Sequence, residues 1–239
     1  MPGHAVHLTV MSRAPVPGET KTRLIPALGA EGAAEFHAAC LADVLDVATA
    51  WRSRTPAGSA GRAITLSITP PASWPLFEAA GLRLLPDVQV VGQRGADLGE
   101  RMVHGLRAGL DEADVALLIG SDLPLLTPEI LDVALTRLTD DAKEIVFGPA
   151  LDGGYYLIGV SRKAHRWQDV LASQAWGTGN VLERAVARAR ELGLRAGMVD
   201  GLPDADTPED LREILAHPLV ATLSGRRSLN WLQQHVHTP

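Results

Sequence analysis

A single cysteine, Cys40, stands among the 239 residues, so the chain holds no internal disulfide framework and no multi-cysteine metal site. Its place in a helical apolar stripe reads as core rather than nucleophile, and cysteine scarcity fits a reducing cytoplasm. No run of about 18 apolar residues occurs, and the start, MPGHAVHLTV, lacks a charged segment leading into a long apolar one. The protein is therefore expected to be soluble, cytoplasmic and unprocessed, with no membrane partner. Positive charge is also in short supply. Lys and Arg total 22 against 28 Asp and Glu, and the net charge of -6 argues against a nucleic-acid partner and toward small molecules. No internal repeat and no serine or cysteine triad signature is visible.

What is present alternates regularly. Apolar runs fall at Ala5–Met11, Ala63–Thr69, Leu82–Leu85, Val115–Ile119, Ile145–Pro149, Tyr155–Val160 and Leu194–Val199, separated by segments of helical period. That order predicts an α/β chain, a mostly parallel sheet covered by helices. Phe36, Cys40, Val44, Val47 and Trp51 share one helical face, as do Leu98, Met102, Leu106 and Leu110. Thr-Pro-Glu predicts helix starts near Thr127 and Thr207, and a further helix covers about Asn180–Leu192. The chain reads as one domain over 1–217 with a C-terminal extension, 218–239, whose weak periodicity allows a short helix. His235 and His237 in that tail are spaced like metal ligands but are expected to be solvated.

In an open α/β sheet, ligands bind beyond the carboxyl ends of the strands. The unusual loops of this chain fall there. After the first strand comes RAPVPGETKTRL, in which Pro15 and Pro17 stiffen the backbone, Gly18 permits a positive φ, and Arg13, Lys21 and Arg23 supply cations suited to nucleotide phosphates. It fits neither the phosphate-loop pattern nor the dinucleotide fingerprint, and a solvated basic turn accounts for it as well. GSDLPLLTP follows the VALLI run and places Asp122 just beyond a buried strand. With Thr127 as the cap of the next helix, Asp122 is available to hold Mg²⁺ against phosphates. In ALDGGYYLIG, Gly153 and Gly154 allow a ligand close to the backbone, and Asp152 can accept from hydroxyls or an amine; a hairpin turn explains the same residues. Asp204 and Asp206 of GLPDADTPED share a face, and Asp206 is either a second metal carboxylate or a complement to the following helix N-terminus. In QRGADLGERM, Gly95 and Gly99 flank a helix start that could receive a base or phosphate, while Asp97 and Glu100 also suit a capping box.

In combination these segments resemble a known family. RAPVPGETKTRL, QRGADLGERM, GSDLPLLTP, DGGYYLIG and DADTPEDL stand in the order and spacing of the nucleotide-diphospho-sugar-transferase-like proteins catalogued as a domain of unknown function or as selenodomain-associated transferases. WGTGNVLE at Trp176–Glu183 is similar to a further element of that family, and the likeness spans about residues 5–215. It implies a single-domain, three-layer α/β/α, Rossmann-like GT-A fold with a mostly parallel mixed sheet, and a divalent cofactor, Mg²⁺ or Mn²⁺. More distantly the family is similar to the guanylyltransferases acting on 2-phospholactate and on the molybdenum cofactor. By that likeness Lys21 and Arg23 match phosphate-binding cations, Asp122 the metal ligand and Asp206 a second one. The loop chemistry itself leads to the expectation that Arg13, Gly18, Gly95, Asp97 and Gly99 also lie around the nucleotide. An acceptor is expected near Asp152, Gly153, Gly154 and Tyr155. Two residues depart from the family pattern: Arg13 stands where lysine is usual, and Leu123 where cysteine is.

Three functions follow as expectations. One is transfer of a nucleoside monophosphate from a triphosphate to a phosphorylated small-molecule acceptor, with Lys21, Arg23 and Asp122 as the catalytic groups. The second is glycosyl transfer from a nucleoside-diphosphate sugar, for which D-x-D rather than Gly-Ser-Asp would be usual. The third is nucleotide binding without turnover.

Overall fold

The computed structural model describes residues 4–57, 60–83, 85–172, 174 and 176–236. The chain opens with β1 (Val6–Arg13), then a one-turn 3-10 helix at Thr22–Leu24 and the long helix α1 (Ile25–Ser53), which is interrupted at Gly29. β2 (Arg62–Thr69), α2 (Trp74–Ala79), β3 (Val88–Gly92) and α3 (Leu98–Glu112) follow, then β4 (Val115–Ile119) and α4 (Pro128–Thr139). A hairpin, β5 (Ile145–Pro149) and β6 (Tyr155–Ser161), leads to α5 (Gln168–Leu171), α6 (Val181–Glu191) and β7 (Ala196–Met198). The chain closes with α7 (Pro208–Ala216), a 3-10 turn at Pro218–Thr222 and α8 (Arg227–His235).

Among the described residues, seven strands form one sheet in the order β3-β2-β1-β4-β6-β5-β7, parallel except where β6 runs against β4 and β5. One face is packed by α1, α4, α7 and α8 over Val6, Leu8, Val10, Leu66 and Leu117; α3, α5 and α6 cover the other, over Leu118, Phe147 and Ile158. The expected α/β mixed sheet is therefore present.

Two expectations are corrected. Leu82–Leu85 is not a strand: Leu82 is buried where the chain leaves α2, residue 84 lies outside the described residues, and the edge strand is Val88–Gly92 instead. Thr127 stands at the N-cap position of α4, yet its side chain accepts no backbone N–H of the helix. At Thr207 the expected cap does form, as a reciprocal capping box with Asp210.

The C-terminal segment lies on α1. Asp43, 2% exposed, receives the backbone N–H groups of Arg227 and Ser228 and the Ser228 hydroxyl, so a buried carboxylate satisfies the first donors of α8. Trp231 packs on Phe36 at a 5.6 Å centroid distance and stacks on His235 at 4.0 Å; His237 is outside the described residues. Cys40 is fully buried, as a core residue should be.

Candidate functional site

The sheet order reverses at β1, which has β2 on one side and β4 on the other. At such a switch the loops leaving adjacent strands diverge and open a crevice. A cavity of about 560 Å³ lies there, beyond the ends of β1 and β4. Arg13, Lys21 and Arg23 line it from the first loop, Asp122 from the β4 end, and Asp204 and Asp206 from the segment before α7. Asp152, Gly154 and Tyr155 of the β5–β6 turn, with Trp176 and Thr178, form the far wall. Gly18, Gly95, Asp97, Gly99 and Gly153 are not among the lining residues.

At its centre is a charge cluster. Lys21 Nζ sits 2.9 Å from Asp122 Oδ2 and 2.7 Å from Asp206 Oδ1, and the lysine side chain is 4% exposed. Residues separated by 185 positions thus meet at one ammonium. The backbone of Lys21 is left-handed, φ 53° and ψ 42°, an uncommon state for a residue with a side chain, and it aims the stem inward. Burial alone would lower the Lys21 ammonium, but the carboxylates of Asp122 and Asp206 outweigh it and hold the group charged, above its ordinary range. Burial likewise favours a neutral Asp122, and Lys21 with His37 overrides it, keeping the carboxyl well below the usual carboxylate range.

His37 on α1 was not singled out by the sequence. It is 2% exposed; Nδ1 lies 2.9 Å from Asp122 Oδ1 and Nε2 lies 2.9 Å from the Arg13 carbonyl, so it ties the metal-candidate carboxylate to the end of β1. Asp204 differs from its neighbours. Burial, then the nearby charges of Asp206 and Asp152, push its carboxyl up to about 7.

The two remaining motifs act mainly in shaping the wall. Asp97 caps α3 by accepting from Glu100 N at 2.8 Å, and Glu100 reaches back to Ala96 N, so the capping reading of QRGADLGERM holds with the return bond one residue earlier. Gly99 is buried with no room for a side chain, since a Cβ there would stand 2.8 Å from Leu171 O and 3.1 Å from Trp176. Asp-Gly-Gly is the β5–β6 hairpin turn, with Gly153 at φ +86° and Asp152 accepting from Gly154 N. Tyr155 meets Phe147 and Trp176 edge-on, while Tyr156 donates to the Asp200 carbonyl.

Asp122 and Asp206 fit a divalent ion that takes one or two protein carboxylates and completes its shell with phosphate and water. No group of three or more His, Cys, Asp or Glu with metal-holding geometry occurs among the described residues, so an all-protein cage is not what they offer.

Residues 55–178 match the model of the family described as uncharacterized proteins conserved in bacteria, DUF2064. The chain belongs to this family. No curated protein matches it. Among solved structures, this DUF2064 chain is similar to a candidate nucleotide-diphospho-sugar transferase from Desulfovibrio desulfuricans G20, at 28% identity and a TM-score of 0.82 over 96% of this chain and 94% of that one. It also shares the fold of 4-diphosphocytidyl-2C-methyl-D-erythritol synthase from Anaerococcus prevotii DSM 20548, 11% identical with a TM-score of 0.56 over 95% and 96% of the two chains. CMP:2-keto-3-deoxy-manno-octonic acid synthetase in complex with CTP is 16% identical, with a TM-score of 0.51 over 91% and 99%. The DUF2064 chain has the fold of these neighbours. No helix of the described residues is long and apolar enough to cross a membrane.

Proposed function

We propose that this protein is a Mg²⁺-dependent nucleotidyltransferase, joining a nucleoside monophosphate from a triphosphate to a phosphorylated small molecule. The observation that carries the reading is the meeting of Asp122 and Asp206 at Lys21 inside the switch-point cavity, with Arg13 and Arg23 on the same wall. In the reaction an acceptor oxygen bonds to the α-phosphorus, the bond from that phosphorus to the β-bridging oxygen breaks, and its electron pair leaves with pyrophosphate. Such chemistry asks for positioning and charge neutralisation rather than a protein nucleophile. Lys21, Arg13 and Arg23 bind and orient the triphosphate, while Asp122, held by His37, and Asp206 would hold the Mg²⁺. That ion, when bound, offsets phosphate charge. The side of the cavity with Asp152, Tyr155 and Trp176 receives the acceptor.

Glycosyl transfer from a nucleoside-diphosphate sugar is the second reading, favoured by the likeness to the Desulfovibrio protein. The single aspartate after β4, preceded by the buried Ser121, and the three cations of the first loop support the nucleotidyl reading over it. A thermal-shift and pyrophosphate-release screen with the four nucleoside triphosphates and common diphospho-sugars, with and without Mg²⁺, tests the choice. A Mg²⁺-dependent response to one triphosphate is expected. A response to a diphospho-sugar alone overturns the first reading for the second.

A further inference from the structure

A second cavity, of about 600 Å³, lies between α3 and the β1–β2–β3 half of the sheet. Strands of a parallel sheet covered by helices are normally apolar on both faces. Here the positions toward α3 are mostly polar, His7 and Thr9 on β1, Thr65 and Ser67 on β2 and Gln89 followed by the apolar Val91 on β3, with Thr9 beside Thr65 and Thr65 beside Gln89 in register. His7, Thr9, Thr65 and Ser67 are only 3–6% exposed. Burying polar groups costs free energy unless their hydrogen bonds are made. His7 Nε2 makes one, 2.9 Å from Thr65 Oγ1, but Nδ1 is buried without a partner, and the closest carboxylate, Glu112 Oε2, stands off at 3.8 Å. Gly105 lets α3 pack close on Thr9, where a Cβ would stand 3.5 Å from its methyl group, while the small, exposed Ala108 borders the cavity beside it.

Charge is distributed along the cavity. Arg101, in the first turn of α3, and Arg94 line it at the end near the strand termini; Glu112, in the last turn, and His7 mark the other end. From the level of His7 to that of Ser67, which pairs with Met11, is four residues, or roughly 13 Å at about 3.3 Å per residue.

We propose that this cavity is a second ligand site, taking a small polyhydroxylated anion such as a sugar phosphate or a sugar acid. Its anionic group sits toward Arg94 and Arg101, and its hydroxyls meet Thr9, Thr65, Ser67 and Gln89. The site is separate from the switch-point cavity but not isolated from it. Gln93 and Arg101 line both, and Gln93 Nε2 donates to the carbonyls of Ser12 and Ser67, one on each side of the shared wall. An occupant that shifts this wall changes affinity in the other cavity, and the effect is reciprocal.

The test is calorimetric titration of the full chain with glucose 6-phosphate, gluconate and inorganic phosphate. Ala108→Phe fills the cavity from an exposed helix position, and Arg94→Glu reverses charge at an exposed loop position, so two unlike variants guard against misfolding of one. Glucose 6-phosphate or gluconate is expected to bind the parent and Asp122→Asn alike, and at least about tenfold more weakly to both cavity variants. Whichever of the two binds identifies the anion as phosphate or carboxylate. Binding of inorganic phosphate as tight as either, unaffected by Ala108→Phe, overturns the proposal in favour of a surface anion patch. Binding lost in Asp122→Asn but kept in Ala108→Phe overturns it by placing the ligand in the first cavity, and no binding of either sugar derivative overturns it outright. None of these outcomes depends on whether nucleotide transfer is correct.

Discussion

Replacing Lys21 with methionine keeps most of the buried stem and removes the charge that two carboxylates share. With Nζ 2.9 Å and 2.7 Å from its partners, each contact attracts by about 6 kcal/mol at an effective dielectric of about 20. Desolvation of the ions, several kcal/mol each, offsets much of that, and loss of one member of a buried pair typically costs about 3–5 kcal/mol. Asp206 is 41% exposed and can take up a proton or water, so the lower end, about 3 kcal/mol, is expected. For a chain of this size that lowers Tm by roughly 6–12 °C. The same electrostatics say what restores it: Asp122 and Asp206, left without a cation, should attract a divalent one, and Mg²⁺ at a hundredfold over its Kd returns about 2.7 kcal/mol. Thermal melts of parent and Lys21→Met, with and without Mg²⁺, read both effects. The variant should lose stability without metal and regain most of it with metal, while the parent changes little. A variant as stable as the parent, or indifferent to Mg²⁺, refutes the reasoning.

Asp43→Ala leaves two backbone donors and the Ser228 hydroxyl unpaired at the start of α8, for a loss of about 2–4 kcal/mol by denaturant unfolding, with nucleotide affinity unchanged. His7 is held below its ordinary 6.5 by burial, against a weaker opposing pull from Glu112. The unfolded chain therefore binds the proton more readily than the folded one, and stability should be full above about pH 6.5 and fall as pH drops below it. His7→Gln should flatten that acid limb in pH-dependent melts. Gly153→Ala forces a Cβ at φ +86° into the Gly179 carbonyl oxygen, so the β5–β6 turn must move; circular dichroism should show a folded protein with Tm reduced, and acceptor-side activity lost.

The layers of this fold were legible because burial writes them as period: β4 reads VALLI and is buried throughout, and α1 carries Phe36, Cys40, Val44 and Trp51 on one face. The edge strand β3 was misplaced because an edge is only half buried. Its sequence, VQVVG, mixes polar and apolar residues, whereas Leu82 and Leu85 are apolar for a different reason, packing against the core after α2. The carboxylates and cations of the first cavity stood out as charge at strand ends, where a charge needs a purpose. Their convergence on a single ammonium depends on a topology that brings the segment before α7 against the loop after β4, where Ala205 N donates to the Asp122 carbonyl, and no local pattern encodes that. His37 escaped notice because one histidine beside an apolar stripe looks like ordinary core; only its contacts with Asp122, the Arg13 carbonyl and the Ser12 hydroxyl distinguish it. The polar floor of the second cavity was hidden in the same way, since Thr and Ser on strands alternate harmlessly until the sheet shows which face a helix covers.

The measurement closest to the central claim is calorimetric titration of the parent and Asp122→Asn with each nucleoside triphosphate, with and without Mg²⁺. The parent should bind one triphosphate only when the metal is present, and the variant, which keeps the side-chain shape but not the charge, should bind it about a hundredfold more weakly, a difference of about 2.7 kcal/mol. Equal Mg²⁺-dependent binding by parent and variant would contradict the assignment of the β1/β4 switch as a metal–nucleotide site.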